Sequence, residues 1–147
     1  MELKKEKLEA LNKLLSATPK QIAVVSHVNP DGDAIGSGLA WTSLLNKLNH
    51  KARFFVPNAP PQFLESIDKN NELRSFKNRS EEYAEFISDC DIIFCLDFNN
   101  LDRIEELGEI VRSNPMAAEL CREDRCFSLT FHGSIHSNPS HYHKLLV

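Results

Sequence analysis

The stretch that decides the fold is "QIAVVSHVNPDGDAIGSGLAWTSLLNKL", residues 21–48. It opens with "QIAVVS" (21–26), an apolar run of strand length. It closes with Leu39, Trp41, Leu44, Leu45 and Leu48 on a broad apolar face, which predicts a helix over 34–48. Between the two, a histidine and two aspartates (His27, Asp31 and Asp33) crowd a strand-to-helix junction. In α/β proteins such junctions carry the chemistry.

Working outward, Leu8, Leu11, Leu14 and Leu15 fall at helical spacing and predict an amphipathic helix over 3–16. Downstream, "KARFFVP" (51–57) is a second strand, and Pro60 and Pro61 turn "NAPPQFLESI" (58–67) into a short helix. A helix follows in "SEEYAEFISD" (80–89), then a third strand in "CDIIFCLDF" (90–98), whose unbroken apolar run predicts a central position. "NNLDRIEELGEIVRS" (99–113) reads as a helix. This β-α-β-α-β succession predicts an α/β fold, a three-layer arrangement around a parallel sheet with right-handed crossovers.

Parallel strands all end at one edge, so His27, Asp31 and Asp33 after the first strand and Asp97 after the third are expected to converge. Carboxylates gathered this closely repel one another unless a divalent cation sits among them, and imidazole with carboxylate suits Mn²⁺ or a similar ion. The Asp31-Gly32-Asp33 spacing suits two metals, each aspartate facing a different ion, and Gly36 and Gly38 leave room for backbone or ligand. The competing reading is structural: Asn-Pro-Asp-Gly is turn chemistry, and Asp33 serves as a helix N-cap. EF-hand registers fail at Ala34 and Ala40 or at Thr42, and neither a P-loop nor G-x-G-x-x-G is present.

Composition narrows the classes further. A chain of 147 residues is enough for one domain, and a formal charge of −4 gives no general polyanion-binding surface, so a phosphate-bearing substrate would need a local device such as a metal. The charged start "MELKKEKLEA" (1–10) has no apolar run behind it, and no stretch approaches the ~20 apolar residues of a membrane span. A cytoplasmic protein with no membrane partner and reduced thiols at Cys90, Cys95, Cys121 and Cys126 is expected.

"VVSHVNPDGDAIGSGLAW" (24–41) closely resembles the first motif of the DHH phosphoesterase family, and "DIIFCLDFNNLDRI" (91–104) resembles its second, in matching order and spacing. Within the family the resemblance is to the bacterial oligoribonuclease type, which acts on very short RNAs and often on 3'-phosphoadenosine 5'-phosphate. The resemblance implies a Rossmann-like DHH domain binding two Mn²⁺ ions. His27 and Asp31 would ligate one ion, Asp33 the other, and Asp97 would bridge them, with Asp31, Asp33 and Asp97 forming the catalytic set. Asn99 and Arg103 are the candidates for orienting substrate. A homodimer is left open.

The resemblance covers roughly residues 5–115. The Asp-His-His triplet expected after the second motif is not found in "MAAELCREDRCFSLTFHGSIHSNPSHYHKLLV" (116–147), nor is a glycine-rich substrate-binding motif. Residues 1–115 are therefore expected to be the N-terminal part of a DHH domain and residues 116–147 an atypical tail, weakly ordered or of altered reading frame. Cys121, Cys126, His132 and His136 form a C-x4-C-x5-H-x3-H series, a zinc alternative whose central spacer is short. Three function classes stay open: a manganese-dependent phosphoesterase of short oligoribonucleotides or nucleotide phosphomonoesters, an inactive truncated fragment retaining metal or nucleotide binding, and a non-enzymatic α/β interaction module.

Overall fold

The computed structural model describes residues 5–114 apart from 79 and 99. The expected tail, its Cys and His series and Asn99 lie outside the described residues. Helix α1 (Lys5–Ala17) precedes strand β1 (Gln21–Ser26), helix α2 (Gly32–Lys47) and strand β2 (Lys51–Val56). Then come a short helix α3 (Gln62–Glu65), strand β3 (Leu73–Ser75) with a 3-10 turn at Phe76–Asn78, helix α4 (Ser80–Ser88) and strand β4 (Ile92–Leu96). A second 3-10 turn (Leu101–Ile104) leads into helix α5 (Glu106–Ser113).

All strand pairings are parallel and the sheet order is β3-β2-β1-β4. Alternation along the strands sends successive side chains to opposite faces. Ala23, Val25, Phe55, Ile93 and Cys95 pack under α4 and α5 with Tyr83, Phe86, Ile87, Leu107 and Val111. Ile22, Val24, Phe54, Val56, Ile92, Phe94 and Leu96 pack under α1 and α2 with Leu11, Ile35 and Leu45. The α/β three-layer parallel sheet expected from the sequence is what the chain forms.

Three expectations change. Strand β4 is at a sheet edge among the described residues, not at the centre. Its five residues are all buried because helices cover both faces, so an apolar run reports cover above and below rather than strands on both sides. Strand β3 was not foreseen, since Leu73–Ser75 is three residues long inside a polar segment and has no period to read. The helix expected over 99–113 is broken at Glu105 (φ 51°), where a 3-10 turn gives way to α5. Gly108 permits that fold-back: a Cβ there would stand 2.6 Å from the Leu101 carbonyl oxygen.

Cys90 and Cys95 are buried thiols. Burial first, then Asp91 and Asp89, push the Cys90 thiol up to about 12, so it stays protonated and inert, donating to the Phe86 carbonyl. No helix among the described residues is long and apolar enough to cross a membrane.

Candidate metal centre at the strand ends

The loop between β1 and α2 is organised by Asp31. Its backbone is extended (φ −88°, ψ −177°), and its Oδ1 accepts hydrogen bonds from the amides of Asp33 (3.1 Å) and Ala34 (2.9 Å). Asp31, not Asp33, is therefore the N-cap of α2; it satisfies two of the helix's orphan donors and sits on the positive end of the helix dipole. Both cap bonds fall on Oδ1, which leaves Oδ2 without a hydrogen-bond partner among the described residues.

His27 follows β1 directly and is 7 % exposed. Its Nδ1 lies 2.9 Å from the Val28 carbonyl oxygen, which makes Nδ1 the protonated nitrogen by assignment and turns the Nε2 lone pair outward. Nε2 is 3.4 Å from Oδ2 of Asp97. Asp97 is the first residue past β4 and has φ 63°, the left-handed region that costs a non-glycine residue on the order of 1 kcal/mol. That turn brings its carboxylate back across the strand ends. Beneath it the buried Ser26 hydroxyl donates to the Leu96 carbonyl (2.9 Å), strapping the ends of β1 and β4 together.

Two further ties hold the loop. The Val28 amide donates to the Arg103 carbonyl at 2.8 Å, joining the two motif segments through backbone alone. Asn29 (φ 52°) and Asn58 exchange hydrogen bonds, the Asn29 amide to Asn58 Oδ1 (2.8 Å) and Asn58 Nδ2 to Asn29 Oδ1 (3.1 Å). Sequence reasoning missed Asn58 and Ser26. An asparagine just past a strand in "VPNAPP" (56–61) was the one available signal for Asn58.

One ligand atom each from His27, Asp31 and Asp97 lies within 4.8 Å of the others. Atoms bound to a common ion at about 2.0–2.6 Å can be no more than about 5 Å apart, so the group fits a single cation without rearrangement of the backbone. Its donors, one imidazole nitrogen and two carboxylates, suit a borderline divalent ion, and the Nδ1 contact to a backbone carbonyl is the second-shell arrangement that metal-ligating histidines use.

Asp33 does not join this group. It occupies the exposed first turn of α2, two residues past the extended N-cap Asp31, and offers no ligand atom to the three-residue group. Arg103 is exposed, and its side chain has no partner among the described residues. Of the two glycines expected to leave room, Gly36 has nothing within 4 Å of a built Cβ, whereas the space at Gly38 is filled by the Phe54 ring, 2.2 Å from where that Cβ would be. Gly38 is a packing glycine of the core.

Comparison with known proteins follows the same lines. A profile of the DHH family, N-terminal domain, matches residues 21–117. The chain is similar to the bifunctional oligoribonuclease and PAP phosphatase NrnA of Thermus thermophilus, 39% identical over 67 residues. That alignment covers 46% of this chain and 20% of the relative. Among solved structures it is similar to an exopolyphosphatase-related protein from Bacteroides fragilis, with TM-score 0.71 and 29% identity, covering 93% of this chain and 38% of that one. The chain thus spans about a fifth of the curated relative and under two fifths of the solved one.

Proposed function

The chain belongs to the DHH family, and from that premise we propose that its strand-end cluster is the metal site of a phosphoesterase acting on short oligoribonucleotides or nucleotide phosphomonoesters such as 3'-phosphoadenosine 5'-phosphate. The observation that carries the reading is the approach of His27, Asp31 and Asp97 to within 4.8 Å of one another. In it His27, Asp31 and Asp97 hold one ion, and Asp33 with a share of Asp97 serves a second; manganese is the ion that the mixed nitrogen and oxygen donors favour. Such an ion supplies Lewis-acid polarisation of a phosphoryl oxygen and an acidified water. The protein's own part is placement. The Val28 carbonyl fixes the His27 tautomer, the α2 amides hold Asp31 by one oxygen, and the left-handed turn at Asp97 aims its carboxylate at the same point. Partial burial of His27 keeps bulk water from one side of the group. The reading carries with it a cytoplasmic protein and Asn99 or Arg103 as contacts to substrate phosphate.

A second reading, an inactive fragment that keeps metal binding, is favoured by the position of Asp33 outside the three-residue group. One assay separates the two. The purified chain is given Mn²⁺ and a short RNA or 3'-phosphoadenosine 5'-phosphate, and release of mononucleotide or phosphate is followed, with Asp31→Ala as control. Mn²⁺-dependent turnover that the control abolishes supports the phosphoesterase. Heat of Mn²⁺ binding without turnover supports the fragment, and neither heat nor turnover removes both.

A further inference from the structure

At the opposite edge of the sheet, between β3 and α4, lies a cleft of about 400 Å³ whose lining includes Arg53, Arg74, Glu82, Tyr83, Ser75 and Asn78, with Asn71 and Leu73 beside them. Arg74 pairs with Phe55 across β3 and β2, and Arg53 is two residues before Phe55 on β2. Both guanidinium stems therefore rise from the same sheet face, with Cα atoms roughly 8 Å apart on the diagonal, within reach of one bound group.

Arg53 pairs with one half-exposed carboxylate, and Arg74 with none among the described residues. The Arg53 guanidinium carbon lies over the Phe86 ring, 4.4 Å from its centroid, and its Nη1 is 3.6 Å from a Glu82 carboxylate that is half exposed. Arg74 forms no ion pair among the described residues; its Nη1 donates to the Asn71 and Leu73 carbonyls, and its Nη2 and Nε have no such bond. Apart from Leu73 and Glu82, the remaining lining is polar and uncharged. Tyr83 is 7 % and Ser75 6 % exposed, yet neither hydroxyl has a partner among the described residues, and the same holds for the side-chain amides of Asn71 and Asn78. Two hydroxyls that open on a cleft with two cations and have no protein partner among the described residues are placed to bond a ligand there.

We propose that this cleft is a second binding site, separate from the strand-end cluster, for a nucleotide carrying a terminal phosphate. Arg53 and Arg74 take the phosphate, the group whose oxygens match planar guanidinium forks. The Asn71 and Asn78 amides and the Tyr83 hydroxyl take the sugar and base edges. The volume exceeds what a phosphate ion fills and lies in the ~300–1,000 Å³ range of small-ligand sites. Two sources offer this chemistry, a free mononucleotide and the phosphorylated end of an oligonucleotide. The proposal rests on the cleft alone and does not require the strand-end cluster to be catalytic.

The test is titration of the ¹⁵N-labelled chain in EDTA with 5'-AMP, adenosine, inorganic phosphate and the dinucleotide pApA, read by amide shifts. AMP is expected to move the amides of Arg74, Asn78 and Tyr83, with adenosine at least about tenfold weaker because the charged hydrogen bonds are missing. Arg74→Ala should weaken AMP by about tenfold or more, and Tyr83→Phe, which keeps the ring packed on Phe55, by a few-fold. Glu82→Gln should tighten AMP by a few-fold by removing a like charge, and Asp31→Ala should leave it unchanged. Equal affinity for pApA assigns the site to an oligonucleotide end; discrimination against pApA assigns it to the free nucleotide. The proposal is overturned by absence of AMP binding, by binding that is indifferent to both Arg74→Ala and Tyr83→Phe, or by shifts confined to His27, Asp31 and Asp97.

Discussion

The two edges of the sheet are built on opposite plans. At one edge, β4 is five apolar residues buried on both faces, and the carboxylate just past its end, Asp97, is returned to the strand ends by a left-handed turn. At the other, β3 is three residues, two of them half exposed, and its charged residue projects from the middle of the strand onto a sheet face. The first edge concentrates negative charge where a cation fits. The second puts two arginines on one cleft, one held by a ring and the other by backbone carbonyls. A strand end can be placed to within the reach of a metal only if the strand itself is immobile, which the double cover of β4 secures. A cleft for a larger ligand tolerates a looser edge.

The largest test of that contrast is stability. Phe94, fully buried and edge-on to Trp41 at 5.3 Å, should cost about 3–5 kcal/mol as Phe94→Ala, whereas Leu73→Ala on β3 should cost only about 1 kcal/mol. Urea unfolding of both variants checks it; similar losses would mean that the two edges are equally fixed. Next in size is metal affinity. Asp97→Asn should lower Mn²⁺ affinity by at least about 100-fold, more than a second-shell change, as measured by calorimetry, while Arg74→Ala should leave it unchanged. Loss of Mn²⁺ binding in both variants would couple two regions that the structure keeps apart.

The smallest test divides the two aspartates of the cluster. Asp31→Ala removes a helix cap and should cost about 1 kcal/mol. Asp97→Gly relieves a left-handed residue and should raise stability by about 0.5 kcal/mol, an effect reduced by glycine's greater freedom in the unfolded chain. Thermal unfolding in EDTA reads both. Opposite signs, with Mn²⁺ binding lost in each, would separate the carboxylate that the fold needs from the one that it carries under strain; equal signs would end that distinction.

Legibility followed local pattern. Strands β1, β2 and β4 and helices α1, α2 and α4 were readable because apolar spacing reflects burial directly. The candidate ligands His27, Asp31 and Asp97 could be named because parallel strands share an edge, a rule that needs only strand order along the chain. The break at Glu105 was hidden because Leu101, Ile104, Leu107 and Val111 keep a helical spacing through both the 3-10 turn and α5, and all are in the same apolar cluster.

By itself the sequence determined which segments are apolar enough to be buried and which loops carry the candidate ligands, since both depend on residue type and near neighbours. Tertiary structure alone decided that Asp31 rather than Asp33 caps α2 and lies near His27, that β4 is an edge among the described residues, that Phe54 fills the space at Gly38, and that Arg53 and Arg74 line one cleft. Each of these depends on where one element's backbone lies against another, on a cap's direction or a strand's register. Such distances are set by packing of the whole sheet, and no window of the chain contains them.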